Sequence, residues 1–200
     1  MLYENLFYDK KVNALFTEAA TVSYMLQFEA ALALAQAQCD LIPYPAAQAI
    51  QAACKIENID IEKLISEVNL DANVPIPLVK QLTAVLKQQK NGENTEGGKY
   101  VHFGATSQDV VDTAMMLQIR DAISIILEIL IKQLIFLMGT HRNTLMIGRS
   151  FMQQAKPITF GFKVATWLDG ILRSKKRLDI ILKDNFTVQL GGAVGTLARA

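Results

Sequence analysis

The sequence predicts an all-α protein, with a small helical domain over residues 1–95 and the start of a larger, incomplete helical-bundle domain over 96–200. Three observations carry this. Apolar residues recur at helical spacing along most of the chain, and no stretch alternates convincingly with period two. A polar segment at 91–99, rich in glycine, divides short helical patterns from long ones. Two stretches, 107–138 and 157–183, are far longer than those before the divide.

The elements follow in order. Thr17 to Cys39 is rich in Ala and Leu, with Val22, Met25, Leu26 and Leu32 at helical spacing. Leu41-Ile-Pro-Tyr-Pro interrupts it, and Pro45 suits the first turn of a helix running to about Lys55. Asp60 is an N-cap candidate for a short helix to about Val68. Pro75 and Pro77 open the next helix, through Leu86. From Ser107 to about Met138 there is no Pro or Gly, which gives a helix roughly 46 Å long, ended by Gly139. Its apolar residues lie on most sides, so it must be covered on most sides. Pro157 to about Lys183 forms the second long helix, with Val164, Leu168, Ile171, Leu178 and Leu182 on one stripe. Two such helices make a hairpin, not a finished bundle. After the glycine-rich run Gly191-Gly-Ala-Val-Gly-Thr no terminal cap precedes Ala200, and a truncated chain is expected.

Composition narrows the function. The 20 basic and 19 acidic residues leave a net charge of +1, so there is no electrostatic footprint for nucleic acid. Hydrophobic residues are 51% of the chain, and mean hydropathy is +0.22. That is high for a soluble monomer and predicts burial against further copies or contact with a membrane. The most apolar run, Ile123 to Met138, is shorter than the roughly 20 residues needed to span a bilayer. Glu128 and Lys132 within it are placed to pair across one helical turn. A buried helix in a homo-oligomer core is expected, with no membrane contact. The start Met1-Leu-Tyr-Glu-Asn has no secretory pattern. Cys39 and Cys54 lie in Ala-rich helices as small hydrophobes and make no metal-ligand pattern. A cytoplasmic protein is expected.

Two runs carry chemistry. Residues 101–113 read Val-His-Phe-Gly-Ala-Thr-Ser-Gln-Asp-Val-Val-Asp-Thr. Gly104 and Ala105 let backbone approach a ligand, and Thr106 and Ser107 offer hydroxyls where the long helix begins. The first N–H groups of a helix lack internal partners and favour an anion. A hydroxyl there also serves simply as a helix cap, and the residues alone leave both readings open. Residues 148–161 read Gly-Arg-Ser-Phe-Met-Gln-Gln-Ala-Lys-Pro-Ile-Thr-Phe-Gly. Arg149 suits bidentate binding of a carboxylate, with Ser150 and Gln153 as neutral donors. An inter-helix turn with a surface Arg is the plainer alternative.

Both runs resemble signatures of the aspartase/fumarase superfamily. In the first, His102, Gly104, Thr106, Ser107, Asp109, Asp112 and Thr113 fall in register. The second resembles Gly-Arg-Thr-His…Ala…Pro…Thr…Gly, with Ser150 at the carboxylate-binding Thr and Phe151 at the catalytic His of most lyases. An aromatic residue at that place is the mark of the muconate-cycloisomerase branch, where it is commonly Trp. Asn73-Val-Pro-Ile-Pro-Leu-Val-Lys80 and Gln189-Leu-Gly-Gly-Ala-Val-Gly-Thr196 resemble segments of the same branch.

The resemblance implies a homotetramer whose long helices pack in one central bundle, with each active site built from three subunits. It implies a small polycarboxylate substrate, neither metal nor other cofactor, and interconversion of a tricarboxylate with its lactone. Thr106, Ser107, Arg149, Ser150 and Gln153 take the substrate-binding positions, and His102 stands as a candidate catalytic acid. The superfamily's third signature, a Gly-Ser-Ser…Met-Pro…Lys…Asn loop supplying the base, has no counterpart among these residues, so the chain alone is expected to be inactive. Two alternatives are another lyase of the superfamily, acting on a dicarboxylate, and a non-catalytic helical oligomerisation domain.

Overall fold

Capping chemistry sets the short helices. In the computed structural model, which describes residues 6, 8–88 and 97–197, the Asp9 carboxylate accepts from the N–H groups of Lys11 and Val12 and opens α1 (Lys10–Ala14). The Thr17 hydroxyl accepts from Ala20 N–H and opens α2 (Glu18–Gln38). Pro45 sits in the first turn of α3 (Tyr44–Ala53). Asp60 caps α4 (Ile61–Asp71) through Lys63 N–H. The Asn73 side chain accepts from Ile76 N–H at 3.1 Å as α5 (Pro75–Gln88) begins. Two 3-10 turns, Ile56–Asn58 and Gly97–Lys99, complete this part. The expected start Met1–Asn5, most of the 91–99 loop, the domain boundary at 95–96 and the end at Ala200 lie outside the described residues.

The chain forms two compact units, one of Met1–Ile119 with Thr187–Ala200 and one of Arg120–Phe186. In the first, α2 is the central helix, packed on α3. Leu26, Ile50, Leu78, Leu82 and Leu86 are fully buried, and Val110 and Ala114 from the start of α6 (Ser107–Thr140) join the same core. Burial, with the nearby Glu29 charge second, pushes the Cys54 thiol up to about 12, so it packs as a neutral apolar group. Cys39, expected to be a small hydrophobe in a helix, is instead exposed at the C-cap of α2.

The second unit holds the rest of α6, a β-hairpin and α7 (Phe160–Asp184). Here the sequence reading of an inter-helix turn, with no strand, needs correction. Leu145–Ser150 (β1) and Gln153–Thr159 (β2) pair antiparallel, and a register shift between Ile147 and Arg149 sets Ala155 and Lys156 against Gly148 as a bulge. A Cβ on Gly148 would lie 2.6 Å from the Lys156 carbonyl oxygen, so only glycine fits beneath the bulge. Pro157 delays the expected α7 start, since it falls inside β2 and Thr159 becomes the cap, accepting from Phe162 N–H at 3.1 Å.

The hairpin tip is Phe151-Met152, both at positive φ (50° and 63°) and both essentially fully exposed. A two-residue loop with positive φ at both positions has the φ signature of a type I′ turn, for which Asn-Gly is the ordinary solution. Bulky side chains in the left-handed region cost on the order of 1 kcal/mol or more each. The double substitution Phe151→Asn with Met152→Gly is therefore expected to raise stability by about 1 kcal/mol. A thermal midpoint unchanged or lowered would show that the tip is not strained.

The α6 segment of this unit is less covered than the sequence demanded. Ala122 is buried, whereas Ile126, Leu130, Ile135 and Phe136 are exposed. By length and composition alone, the helix is also long and apolar enough to cross a membrane. The expected Glu128–Lys132 pair is not formed, since both side chains line an open groove with Leu127, Ile131, Lys175 and Asp179, and Lys175 pairs with Asp179 instead.

Candidate active site

The first signature is built from two left-handed backbone steps and a helix start. His102 (φ 58°) and Gly104 (φ 73°) turn the chain before α6. No atom lies within 4 Å of a Cβ placed on Gly104, so its torsion, not crowding, calls for glycine. Thr106 precedes the helix. Its N–H donates to Asp109 Oδ2 at 2.9 Å, while Asp109 N–H donates to the Thr106 carbonyl at 3.0 Å. The carboxylate of Asp109 thus serves this helix end, and neither hydroxyl of the Thr106-Ser107 pair acts as a cap. Ser107 Oγ donates to Asn73 Oδ1 at 3.1 Å, tying the start of α6 to that of α5. Among the described residues the Thr106 hydroxyl has no hydrogen-bond partner.

The glycine-rich run 191–195 returns to this place. Gly191 N–H donates to Asp109 Oδ1 at 2.9 Å and Gly192 N–H to Asp109 Oδ2 at 3.0 Å. The Gln189 N–H donates to Thr113 Oγ1 at 3.0 Å. Gly192 has φ 71°, and a Cβ there would sit 3.1 Å from the Gly104 carbonyl, so glycine is needed for both torsion and space. Burial alone pushes the Asp109 carboxyl up. The N–H groups of Gly191, Thr106 and Gly192 and the nearby His102 outweigh it and hold the group below the usual carboxylate range.

His102 Nδ1 lies 2.7 Å from Glu29 Oε1, a carboxylate in the middle of α2 that is 1% exposed. The second Glu29 oxygen is buried with no hydrogen-bond partner. Beside this pair, Gln36 Nε2 donates to the Phe103 carbonyl at 2.5 Å. Sequence reasoning missed Glu29, Asn73 and Gln36 as parts of this site. Glu29 had a usable signal, since it is a charged residue at helical spacing with the buried Val22, Met25, Leu26 and Leu32.

The second signature falls in the other unit. Arg149 and Ser150 lie on β1 and Gln153 on β2, with Ser150 paired to Gln153 in the register. All three are exposed. Arg149 lines a cleft with Lys163 and Thr166 of α7 and with Met146, Ile158 and Phe162, and the Lys163 ammonium lies 5.6 Å from the centre of the Trp167 ring. Phe151, at the place of the lyase His, is the hairpin tip. His141 hydrogen-bonds Thr144 at 3.2 Å and stacks edge-on against Phe160, a local structural arrangement. Among the described residues no group of three His, Cys, Asp or Glu is placed to hold a metal ion.

This geometry has relatives. A family model described as lyase matches residues 8–200. The 3-carboxy-cis,cis-muconate cycloisomerase of Acinetobacter baylyi is 43% identical over 98% of this chain and 44% of its own length. That of Bradyrhizobium diazoefficiens is 42% identical over 90% of this chain and 40% of its own. The crystal structure of β-carboxy-cis,cis-muconate cycloisomerase from Acinetobacter calcoaceticus sp. ADP1 superposes with a TM-score of 0.83 at 43% identity, covering 98% of this chain and 46% of that one. The chain thus spans less than half the length of the relatives it matches. With both signatures in place and the fold shared, the chain belongs to the lyase family of the aspartase/fumarase superfamily.

Proposed function

We propose that this chain supplies the N-terminal, carboxylate-binding part of a cofactor-independent cycloisomerase that interconverts 3-carboxy-cis,cis-muconate and its carboxymuconolactone. The observation that carries the reading is the unused Thr106 hydroxyl beside Ser107 at the start of α6, where Asp109 accepts from the Thr106 N–H and neither hydroxyl caps the first turn. A hydroxyl and helix N–H groups left without internal partners are donors for a substrate carboxylate. Identity to cycloisomerases over nearly the whole chain supports the same substrate class.

In this mechanism one carboxylate adds across a double bond while a proton moves at the carbon beside another carboxylate. The intermediate is enolate-like, and its second carboxylate oxygen gains negative charge. Donors fixed in place before the reaction favour that charge over the ground state. Thr106, Ser107 and the helix start are the carboxylate donors of the first unit, and Arg149, Ser150 and Gln153 those of the second, which the three-subunit site implied by the resemblance lets separate copies of the chain supply. His102 is the candidate acid. No base of the third-signature type occurs in these residues, so the chain by itself binds and does not turn over. The exposed apolar side chains of α6 fit a homotetramer core in the cytoplasm. Light scattering tests whether this chain alone suffices: four times the 22.1 kDa chain mass means its two long helices assemble unaided, and a monomer or aggregate means that further helices are needed to cover them.

Calorimetric titration of 3-carboxy-cis,cis-muconate tests the site. Each hydrogen bond to a charged group is worth about 1.5–3 kcal/mol, so Thr106→Val should weaken binding roughly tenfold or more, and Ser107→Ala by less, because the Ser107 hydroxyl must first give up Asn73. Affinity unchanged in both variants, with the fold intact by circular dichroism, would reject the reading.

A further inference from the structure

Among the described residues, Glu29 is a buried carboxylate that the proposed site does not use. It is 1% exposed, one oxygen meets His102 Nδ1 at 2.7 Å, and the other has no partner. A carboxylate held this way is a poor stabiliser, because an apolar residue of similar volume avoids the desolvation cost. A residue that burdens the fold calls for another account. The distance to His102 is that of a short, charge-assisted hydrogen bond. The His102 ring is 18% exposed, so one end is anchored inside while the ring still reaches the surface. The backbone supports the same reading. His102 is a non-glycine residue at φ 58°, a conformation that persists only where its surroundings hold it. The Gln36 amide on the Phe103 carbonyl and the Ala105 N–H on the His102 carbonyl hold it here.

We propose that Glu29 is a positioning residue for His102: its carboxylate accepts a hydrogen bond from Nδ1–H, fixes the neutral imidazole as the Nδ1–H tautomer, and leaves Nε2 as the nitrogen through which the candidate acid takes up and gives its proton. The bond one ring nitrogen makes sets what the other can do. Asp109 on α6 is also close enough to His102 to feel its charge, but its carboxylate already accepts from three backbone N–H groups. Glu29 on α2 is the carboxylate that lies within hydrogen-bond distance of the ring. The use of Nε2 rests on the proposed carboxylate site, but the tautomer is read without substrate or turnover, so the two ideas fail separately.

The test is long-range proton–nitrogen NMR of the whole chain at alkaline pH, where an ordinary imidazole is neutral. His102 and His141 are the only histidines, so His141 is the internal control. The wild type is expected to show His102 Nδ1 protonated and Nε2 with the shift of a free lone pair. Glu29→Gln keeps an acceptor oxygen and should keep the tautomer. Glu29→Met should lose it, drawing the two His102 nitrogen shifts toward those of His141, with an unfolding midpoint equal to or above wild type. Protonated Nε2 in the wild type would overturn the proposal. So would a Glu29→Met variant with unchanged His102 shifts, or one with a lowered midpoint and unchanged shifts, which returns Glu29 to a structural role. If Glu29→Met does not fold, the wild-type and Glu29→Gln spectra decide alone.

Discussion

Replacing Asp109 with Asn should destabilise the first unit by on the order of 3 kcal/mol, the largest effect expected of any single polar substitution in this chain. Its carboxylate accepts from Thr106, Gly191 and Gly192 N–H groups at 2.9, 2.9 and 3.0 Å. A carboxamide of the same shape offers one acceptor oxygen and turns an NH2 group toward donors. At best the oxygen keeps the Thr106 and Gly192 N–H groups, and the Gly191 N–H is left facing the NH2 group as a donor–donor contact. Hydrogen bonds to a charged group contribute about 1.5–3 kcal/mol each, and a donor left buried and unpaired adds its own cost. Urea unfolding monitored by circular dichroism measures this. A midpoint equal to wild type would mean that the glycine-rich run does not depend on Asp109.

The same carboxylate predicts how stability changes with pH. Its folded-state pKa is lowered. The linked stability is therefore fully present above the unfolded carboxyl pKa and is lost as pH falls toward and through the folded value. Stability of the wild type should fall with acid across that window, and the Asn variant should lack this component of the slope. Comparing the two pH profiles isolates Asp109 from the other carboxylates. Parallel profiles would contradict the assignment.

How much of this was legible before the structure depended on where the information lay. Caps and periodicity are local, so Asp60, Pro45 and the long run from Ser107 gave their helices directly. The β-hairpin was hidden because its turn breaks the local rule. Phe-Met is nobody's hairpin turn by propensity, and β2 carries Pro157 and a bulge, which disrupt alternation. The site divided in the same way. His102, Thr106 and Ser107 were visible because they are adjacent in sequence. Asp109 was visible only as a motif position, and its role required Gly191 and Gly192 to return from a distant part of the chain. Glu29 and Asn73 belong to the site through contacts across the first unit that no spacing rule predicts. The apolar surplus of α6 was readable as a demand for cover, and composition cannot say what meets that demand.

The last prediction sets sterics against propensity on one helix. Gly161→Ala should destabilise the second unit by about 2 kcal/mol, although alanine is the better helix former by about 1 kcal/mol. A Cβ on Gly161 would stand 2.8 Å from the Arg142 Cα, the His141 carbonyl oxygen and the Met138 carbonyl oxygen. All three are backbone atoms at the end of α6 and the turn beyond it, so no rotamer change makes room. Gly161 N–H also donates to the His141 carbonyl at 2.9 Å, and Phe160 N–H to the Thr144 carbonyl at 2.8 Å, which hold the two helix ends together. Relief would have to stretch those bonds and disturb the base of the hairpin that carries Arg149. Gly170 supplies the control. It lies within α7, and nothing stands within 4 Å of the place its added methyl would take, so Gly170→Ala should instead stabilise by up to about 1 kcal/mol. For a chain of this size, the pair should move the thermal midpoint in opposite directions, by roughly 4–8 °C down and 2–4 °C up. Midpoints raised in both variants would mean that the α6 and α7 ends do not meet at Gly161, and the cleft shared by Arg149 and Lys163 would lose its structural support.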